Sequence, residues 1–248
     1  MDEQDSAPQE EQQPEGAPEA PEPPSPPPGP PAGPKPEIGA YLSKAWNLVI
    51  GDPVLLIVGY LVVAAIIGFS SITIVGPIIL VGPLMFGYLR VVQKRLNGEE
   101  AALGDIFAGF QDFGKALLTG VLLGAISLGV GLVTLIVVFI LSLIPCIGML
   151  LGIVVALAVS LGLGAAVYFV LPMAALSDAS PTEAVGGSFR FCFAHLGWTV
   201  LLSLVTWAIG GAGNAVCLVG VFFTMPLALA MTVAAYNDYY VPNAQQAE

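Results

Sequence analysis

Residues 116–176 read ALLTGVLLGAISLGVGLVTLIVVFILSLIPCIGMLLGIVVALAVSLGLGAAVYFVLPMAAL, a run of 61 residues without one Asp, Glu, Lys, Arg or His. About 20 apolar residues suffice to cross the hydrocarbon core of a bilayer. The run therefore predicts two membrane helices, with Ile144-Pro145-Cys146 as the break near its middle, because proline removes an amide donor and clashes with the preceding turn. Water is excluded as the solvent of such a stretch, and lipid is the alternative.

Working outward, the rest of the chain follows the same rule. The 248 residues are 56% hydrophobic and 10% charged, with mean hydropathy +0.85, whereas soluble domains carry roughly 25% charged residues. A first span is predicted from Pro53 to Phe69 and a second from Ile72 to Leu89, joined at Ser70-Ser71. A fifth runs from Gly197 to Ile209. The cluster Gly210-Gly211-Ala212-Gly213-Asn214 is expected to turn the chain into a sixth, Val216 to Tyr236. The expected fold is all-α, a polytopic bundle of about six spans in three hairpins, occupying residues 38–240.

Residues 1–37 differ sharply. Thirteen of the 21 prolines lie in the first 36 residues, and nine of the 18 acids in the first 37, against the single base Lys35. Proline at this density blocks both helix and sheet, so a disordered, acidic, proline-rich tail is expected, able to act as a spacer or to dock a groove on a protein partner. Residues 241–248 form a short C-terminal tail. The net charge of −11 is therefore local: the body holds nine acids and six bases, which excludes a basic nucleic-acid footprint. With the N-terminus inside, Lys35, Lys44, Arg90, Lys94, Arg95, Lys115 and Arg190 all fall on the cytoplasmic side, the arrangement the positive-inside rule describes. Both termini are expected in the cytoplasm.

A threefold pattern precedes the hairpins. Ile38, Tyr41, Leu42, Ala45, Trp46 and Val49 share one helical face. Leu103, Ile106, Phe107 and Phe110 begin the same spacing, as do Val185, Phe189, Cys192, Phe193 and Leu196. The last set is opened by Ser180-Pro181-Thr182-Glu183, a capping box with proline at the first helical position. Each stretch predicts an amphipathic helix lying in the membrane interface. The second helix of each hairpin carries a proline: Pro83, Pro172 and Pro226.

Gly82-Pro83-Leu84-Met85-Phe86-Gly87, the loop from Arg90 through Gly98-Glu99 to Phe107-Ala108-Gly109-Phe110, and Pro172 to Ser188 resemble a group of uncharacterised bacterial six-pass membrane proteins. These are similar to the membrane domain attached to some glycerophosphodiester phosphodiesterases. The resemblance covers residues 38–240, implies the six-span architecture and a bacterial inner membrane, and transfers no catalytic residue.

Chemistry is sparse. The predicted span interiors hold no Asp, Glu, Lys, Arg or His, which argues against a proton relay or a charge-selective channel. Asp52 before Pro53 reads as an N-cap. His195 is the single histidine, and with three dispersed cysteines it offers no recognisable zinc set. Cys146 and Cys217 lie near predicted outer ends, where they are either small apolar side chains or, if adjacent in an oxidising compartment, a pair. Gly120 and Gly124, and Gly148 and Gly152, form GxxxG spacings read as internal packing. Arg90, Lys94 and Arg95 near the membrane can meet lipid phosphates or set topology and pair with Glu99, Glu100, Asp105 and Asp112. No catalytic, cofactor-binding or metal-ligating residue is assigned, and no cofactor is expected.

The preferred expectation is a non-enzymatic scaffold or accessory factor of the inner membrane, contacting lipid and, through its tail, a protein partner. The alternative is a permease for a neutral or lipid-like small molecule, which calls for a polar mid-membrane cavity at Ser160, Thr206 or Thr224. A membrane enzyme would need Glu99, Asp105 and His195 to converge.

Overall fold

The computed structural model describes residues 37–73, 75–144, 147–216 and 218–246. The proline-rich tail, Pro145, Cys146 and Cys217 lie outside these, and with them the expectations for the tail and for a Cys146–Cys217 pair. Among the described residues every regular element is helical: α1 (Ile38–Gly51), a π-helical turn (Val54–Val58) leading into α2 (Gly59–Ser70), α3 (Val75–Leu96), a 3-10 segment (Leu103–Phe110), α4 (Phe113–Ser142), α5 (Ile147–Val167), α6 (Val170–Leu176), α7 (Pro181–Ala194), α8 (Leu196–Val216), α9 (Leu218–Ala235), a second π-helical turn (Tyr236–Tyr240) and α10 (Val241–Gln246). The segment past residue 240 thus continues the last helix.

This is a polytopic transmembrane helical bundle. Five stretches are long and apolar enough to cross a bilayer: α3, α4, α5 with α6, α8, and α9 with its continuation. The α1–α2 pair makes a sixth candidate, bent by 93°. The bend separates the amphipathic α1, which buries Tyr41, Ala45 and Val49, from the apolar α2, as the sequence predicts. At the bend Asp52 caps weakly, Oδ1 accepting from Leu55 N at 3.4 Å.

Helix α3 is the hub, touching α2, α4, α6, α9 and the 3-10 segment. Its glycines explain why. A Cβ on Gly87 would lie 1.6 Å from the Ile106 carbonyl oxygen, and one on Gly109 would lie 2.0 Å from that of Pro83. Backbone thus meets backbone with no room for a side chain, and the two glycine-bearing motifs quoted above form one packing seam. Of the GxxxG residues, Gly120 packs on Gly82, and Gly148 and Gly152 pack on Leu141 and Val138 within the α4–α5 hairpin, whereas Gly124 has open space.

One expectation needs correction. Gly210–Asn214 does not turn; it stays helical within α8. The glycines there serve close approach instead, since a Cβ on Gly213 would come within 2.3 Å of Thr224 Oγ1 on α9, and Thr224 donates to the Gly210 carbonyl at 3.2 Å. In the later amphipathic stretches several of the bulky side chains face away from the protein, where a helix lying in the interface would meet lipid. Phe107, Phe193 and Leu196 are exposed, while Ile106, Gly109, Ala184, Ser188 and Cys192 are buried. Small and hydroxyl side chains let helices approach in lipid, where bulky apolar groups gain nothing by turning inward.

Ser188 illustrates the point. The helix breaks at Tyr168-Phe169, four residues before Pro172, whose missing amide leaves a carbonyl free. Across that break Ser188 Oγ donates to the Ala166 carbonyl at 2.7 Å and accepts from Phe169 N at 3.3 Å.

Candidate functional site

The chemistry-bearing side chains collect at one end of the bundle. Helix α3 runs seven residues past its predicted end, carrying Arg90, Lys94 and Arg95, and basic groups in a last turn complement the helix dipole. Gly98, at φ +78°, ends it. There Glu99 N donates to the Lys94 carbonyl at 2.9 Å, a left-handed stop that glycine permits without strain.

From that terminus the bases reach out to four other segments. Arg95 Nη2 pairs with Asp52 at 2.9 Å, beyond α1, and Lys94 with Asp105 at 3.0 Å, in the 3-10 segment. Arg90 pairs with Asp112 and donates to the carbonyls of Ala175 (3.0 Å) and Ala108 (3.4 Å). Lys44 on α1 pairs with Asp238 after α9, and Lys115 donates to the Ser177 carbonyl at 2.7 Å. Hydrogen bonds from Lys94 and Arg90 hold the carboxyls of Asp105 and Asp112 below the usual carboxylate range. On α7, which carries Arg190, a Cβ on Gly187 would lie 3.0 Å from the Tyr240 hydroxyl, so this helix packs against the turn after α9.

Two clefts flank the end of α3. The larger, about 540 Å³, lies between α1, α3 and the end of α9, and is lined by Lys44, Asn47, Gln93, Arg95, Asn97, Asn237 and Asp238 with Leu48, Leu96 and Ala234. The smaller, about 350 Å³, lies between α3 and the α6–α7 connection, with Arg90, Lys94, Glu99 and Asp178 among its lining. Gln93 and Asn97 face both. Asn237 donates to Gln93 Oε1 at 2.8 Å, tying α9's end to α3.

The structure does not bring the permease residues together. Thr206 shares a 2.8 Å hydrogen bond with Tyr168, Thr224 is bonded to Gly210, and Ser160 is exposed. Nor do Glu99, Asp105 and His195 converge. Asp105 is held by Lys94, Glu99 accepts from Asn97 at 3.3 Å, and the His195 ring stacks on Phe191 at 4.5 Å with Tyr239 at 5.9 Å. Among the described residues no three His, Cys, Asp or Glu side chains lie close enough together to hold a metal ion. Cys192 is buried and free.

What the sequence reading passed over is the amide set: Asn47, Gln93, Asn97 and Asn237. Neutral side chains leave no mark in a charge count. The spacing of Gln93 and Asn97, one helical turn apart just beyond an apolar span, was the available signal. The chain matches no family model, and comparisons with curated proteins and with solved structures find no match.

Proposed function

We propose that this multi-pass membrane protein is a non-enzymatic scaffold or accessory factor of a bacterial inner membrane, with both termini in the cytoplasm. It belongs, on this reading, with the six-pass proteins it resembles. The observation that carries the proposal is the interlocked polar end. Five bases are each engaged by a different segment of the chain, so the charge there is used to hold α1, α3, the 3-10 segment, α6 and α9 in fixed relation. A rigid polar platform with a long acidic, proline-rich tether is suited to holding a partner. The gathering of Lys44, Arg90, Lys94, Arg95, Lys115 and Arg190 at one end supports a cytoplasmic placement of that end.

Deletion of residues 1–36 tests the role of the tail. Co-purifying partners are expected to be lost while the membrane domain still accumulates; an unchanged set of partners overturns the scaffold reading. Reporter fusions at residues 1 and 248 are expected to report the same, inner side, and opposite sides overturn the topology.

A second reading, a permease for a neutral or lipid-like molecule, is favoured by one observation. The Tyr168–Thr206 hydroxyl pair is buried between α5 and α8, near the proline-bearing helices α6 and α9. Replacing Tyr168 by Phe would then reduce uptake into reconstituted vesicles, whereas the scaffold reading expects no uptake to begin with.

A further inference from the structure

The larger cleft combines features that the scaffold reading does not use. Its lining holds two bases, Lys44 and Arg95, and one acid, Asp238, together with four carboxamides, Asn47, Gln93, Asn97 and Asn237. Both bases already face carboxylates, Lys44 against Asp238 and Arg95 against Asp52. A simple anion entering the cleft would therefore meet a carboxylate beside each base. A ligand carrying both charges offsets that conflict at Lys44, where an ammonium can meet Asp238. Its phosphate can take Lys44 and Arg95 while its amine takes Asp238. Carboxamides serve both ends, donating through NH2 and accepting through the carbonyl.

The lining also discriminates between amines. Quaternary ammonium groups have no N–H and are held by aromatic faces, and among the described residues no aromatic side chain lines this cleft. A primary ammonium has three donors, matched by Asp238 and the amide carbonyls. The place is suitable as well. α1, set at 93° to the following helix, walls the cleft, and its Trp46 and Ile50 are exposed apolar groups that lipid would cover.

We propose that the cleft between α1, the end of α3 and the end of α9 binds a phosphoethanolamine group, with Lys44 and Arg95 on the phosphate, Asp238 on the ammonium, and Asn47, Gln93, Asn97 and Asn237 completing both shells. The inference stands independently of the scaffold reading.

The test is native mass spectrometry of the full chain in detergent micelles, titrated with dioleoyl phosphatidylethanolamine, phosphatidylcholine and phosphatidylglycerol. Phosphatidylethanolamine is expected to be retained about fivefold or more over the other two, the scale of one partly screened ion pair. Asp238→Asn and, separately, Asn47→Leu are expected to abolish the preference. Asn47 is an exposed residue, so its variant tests the site even where loss of the Lys44–Asp238 pair loosens α1. Ser160→Ala, remote from the cleft, is expected to leave the preference intact. Adding sn-glycero-3-phosphoethanolamine separates the two sources of the group: displacement assigns the cleft to a soluble phosphoethanolamine, and persistence assigns it to the lipid. Equal retention of the three lipids, strongest retention of phosphatidylglycerol, or wild-type preference in both cleft variants overturns the proposal.

Discussion

Helices α3 and α4 are neighbours in sequence and in space, and they solve opposite problems. Half of the most apolar stretch of α3 is buried within the protein, and none of that of α4 is, although α4 is the more apolar of the two. In water this order would be inverted, since the more apolar helix would be drawn into the core. Lipid removes that drive. What decides burial here is how closely backbones can approach and which polar groups need partners. α3 has Gly82, Gly87 and, at its end, Arg90, Lys94 and Arg95; α4 has a long uncharged surface and spans about 45 Å at 1.5 Å per residue.

The sharpest way to break this contrast is to add bulk to both helices. Gly87→Val places its Cβ against the Ile106 carbonyl, where the gap is 1.6 Å. Overpacking of this kind typically costs about 1–3 kcal/mol, and a backbone clash lies at or beyond the upper end. The expected outcome is failure to accumulate as a folded species, read by size-exclusion chromatography in detergent. Gly124→Ala on α4, with nothing within 4 Å, is expected to be neutral or to gain up to about 1 kcal/mol through helix propensity. Equal tolerance at both positions would dissolve the distinction between the helices.

Removing bulk sharpens it. Leu84 on α3 is fully buried, while Leu132 on α4 is 57% exposed. Leu84→Ala is expected to lower stability by about 2–5 kcal/mol through the cavity it leaves. Leu132→Ala, which only exchanges a leucine–lipid contact for an alanine–lipid one, is expected within about 0.5 kcal/mol of wild type. Thermal unfolding of the two variants in one detergent decides, and comparable losses would mean that α4 is covered by protein.

The same contrast explains what could be foreseen. Hydropathy and proline placement located the spans, since the solvent requirement is a property of residue type: α4 ends at Ser142, just ahead of the predicted break, and the capping box of Ser180 and Glu183 is formed. Inter-helix contacts were not legible by the same means. Gly210–Asn214 carries every local sign of a turn, and only the approach of Thr224 and Val221 shows why those glycines are needed inside a helix. Nor does the sequence mark Ser188, an unremarkable serine that closes the α5–α6 break. The charged residues of the polar end were recognised as a group from topology, but the amide-lined cleft among them was not, because it is assembled from three helices far apart in the chain.

A smaller effect is expected from acid. The carboxyls of Asp105 and Asp112 are held below their ordinary value by Lys94 and Arg90. A depressed carboxylate stabilises the fold above its unfolded pKa, about 3.9 for Asp, and that contribution disappears as pH falls through the lower, folded value. The polar end is therefore expected to be intact from pH 5 upward and to loosen below about pH 4. Hydrogen exchange, corrected for its intrinsic pH dependence, is expected to rise across residues 99–112 and to stay unchanged across 118–140. Uniform protection from pH 6 to pH 3 would show that these pairs do not hold the loop.

The smallest effect separates the two kinds of helix start. α7 begins with Ser180 Oγ accepting from Glu183 N at 3.4 Å and Glu183 Oε2 accepting from Ser180 N at 2.7 Å. α4 begins at Asp112, whose side chain makes no cap and is taken by Arg90. Both starts lie at the polar end, but only that of α7 is closed by a side-chain cap. Ser180→Ala is expected to cost about 1 kcal/mol and Ser180→Gly a few tenths, seen as faster exchange at the amides of residues 182–184. Asp112→Ala is expected to leave the first amides of α4 protected and to act instead through the freed Arg90. If both substitutions fray their helices equally, Asp112 caps α4 as Ser180 caps α7, and the two starts are of one kind.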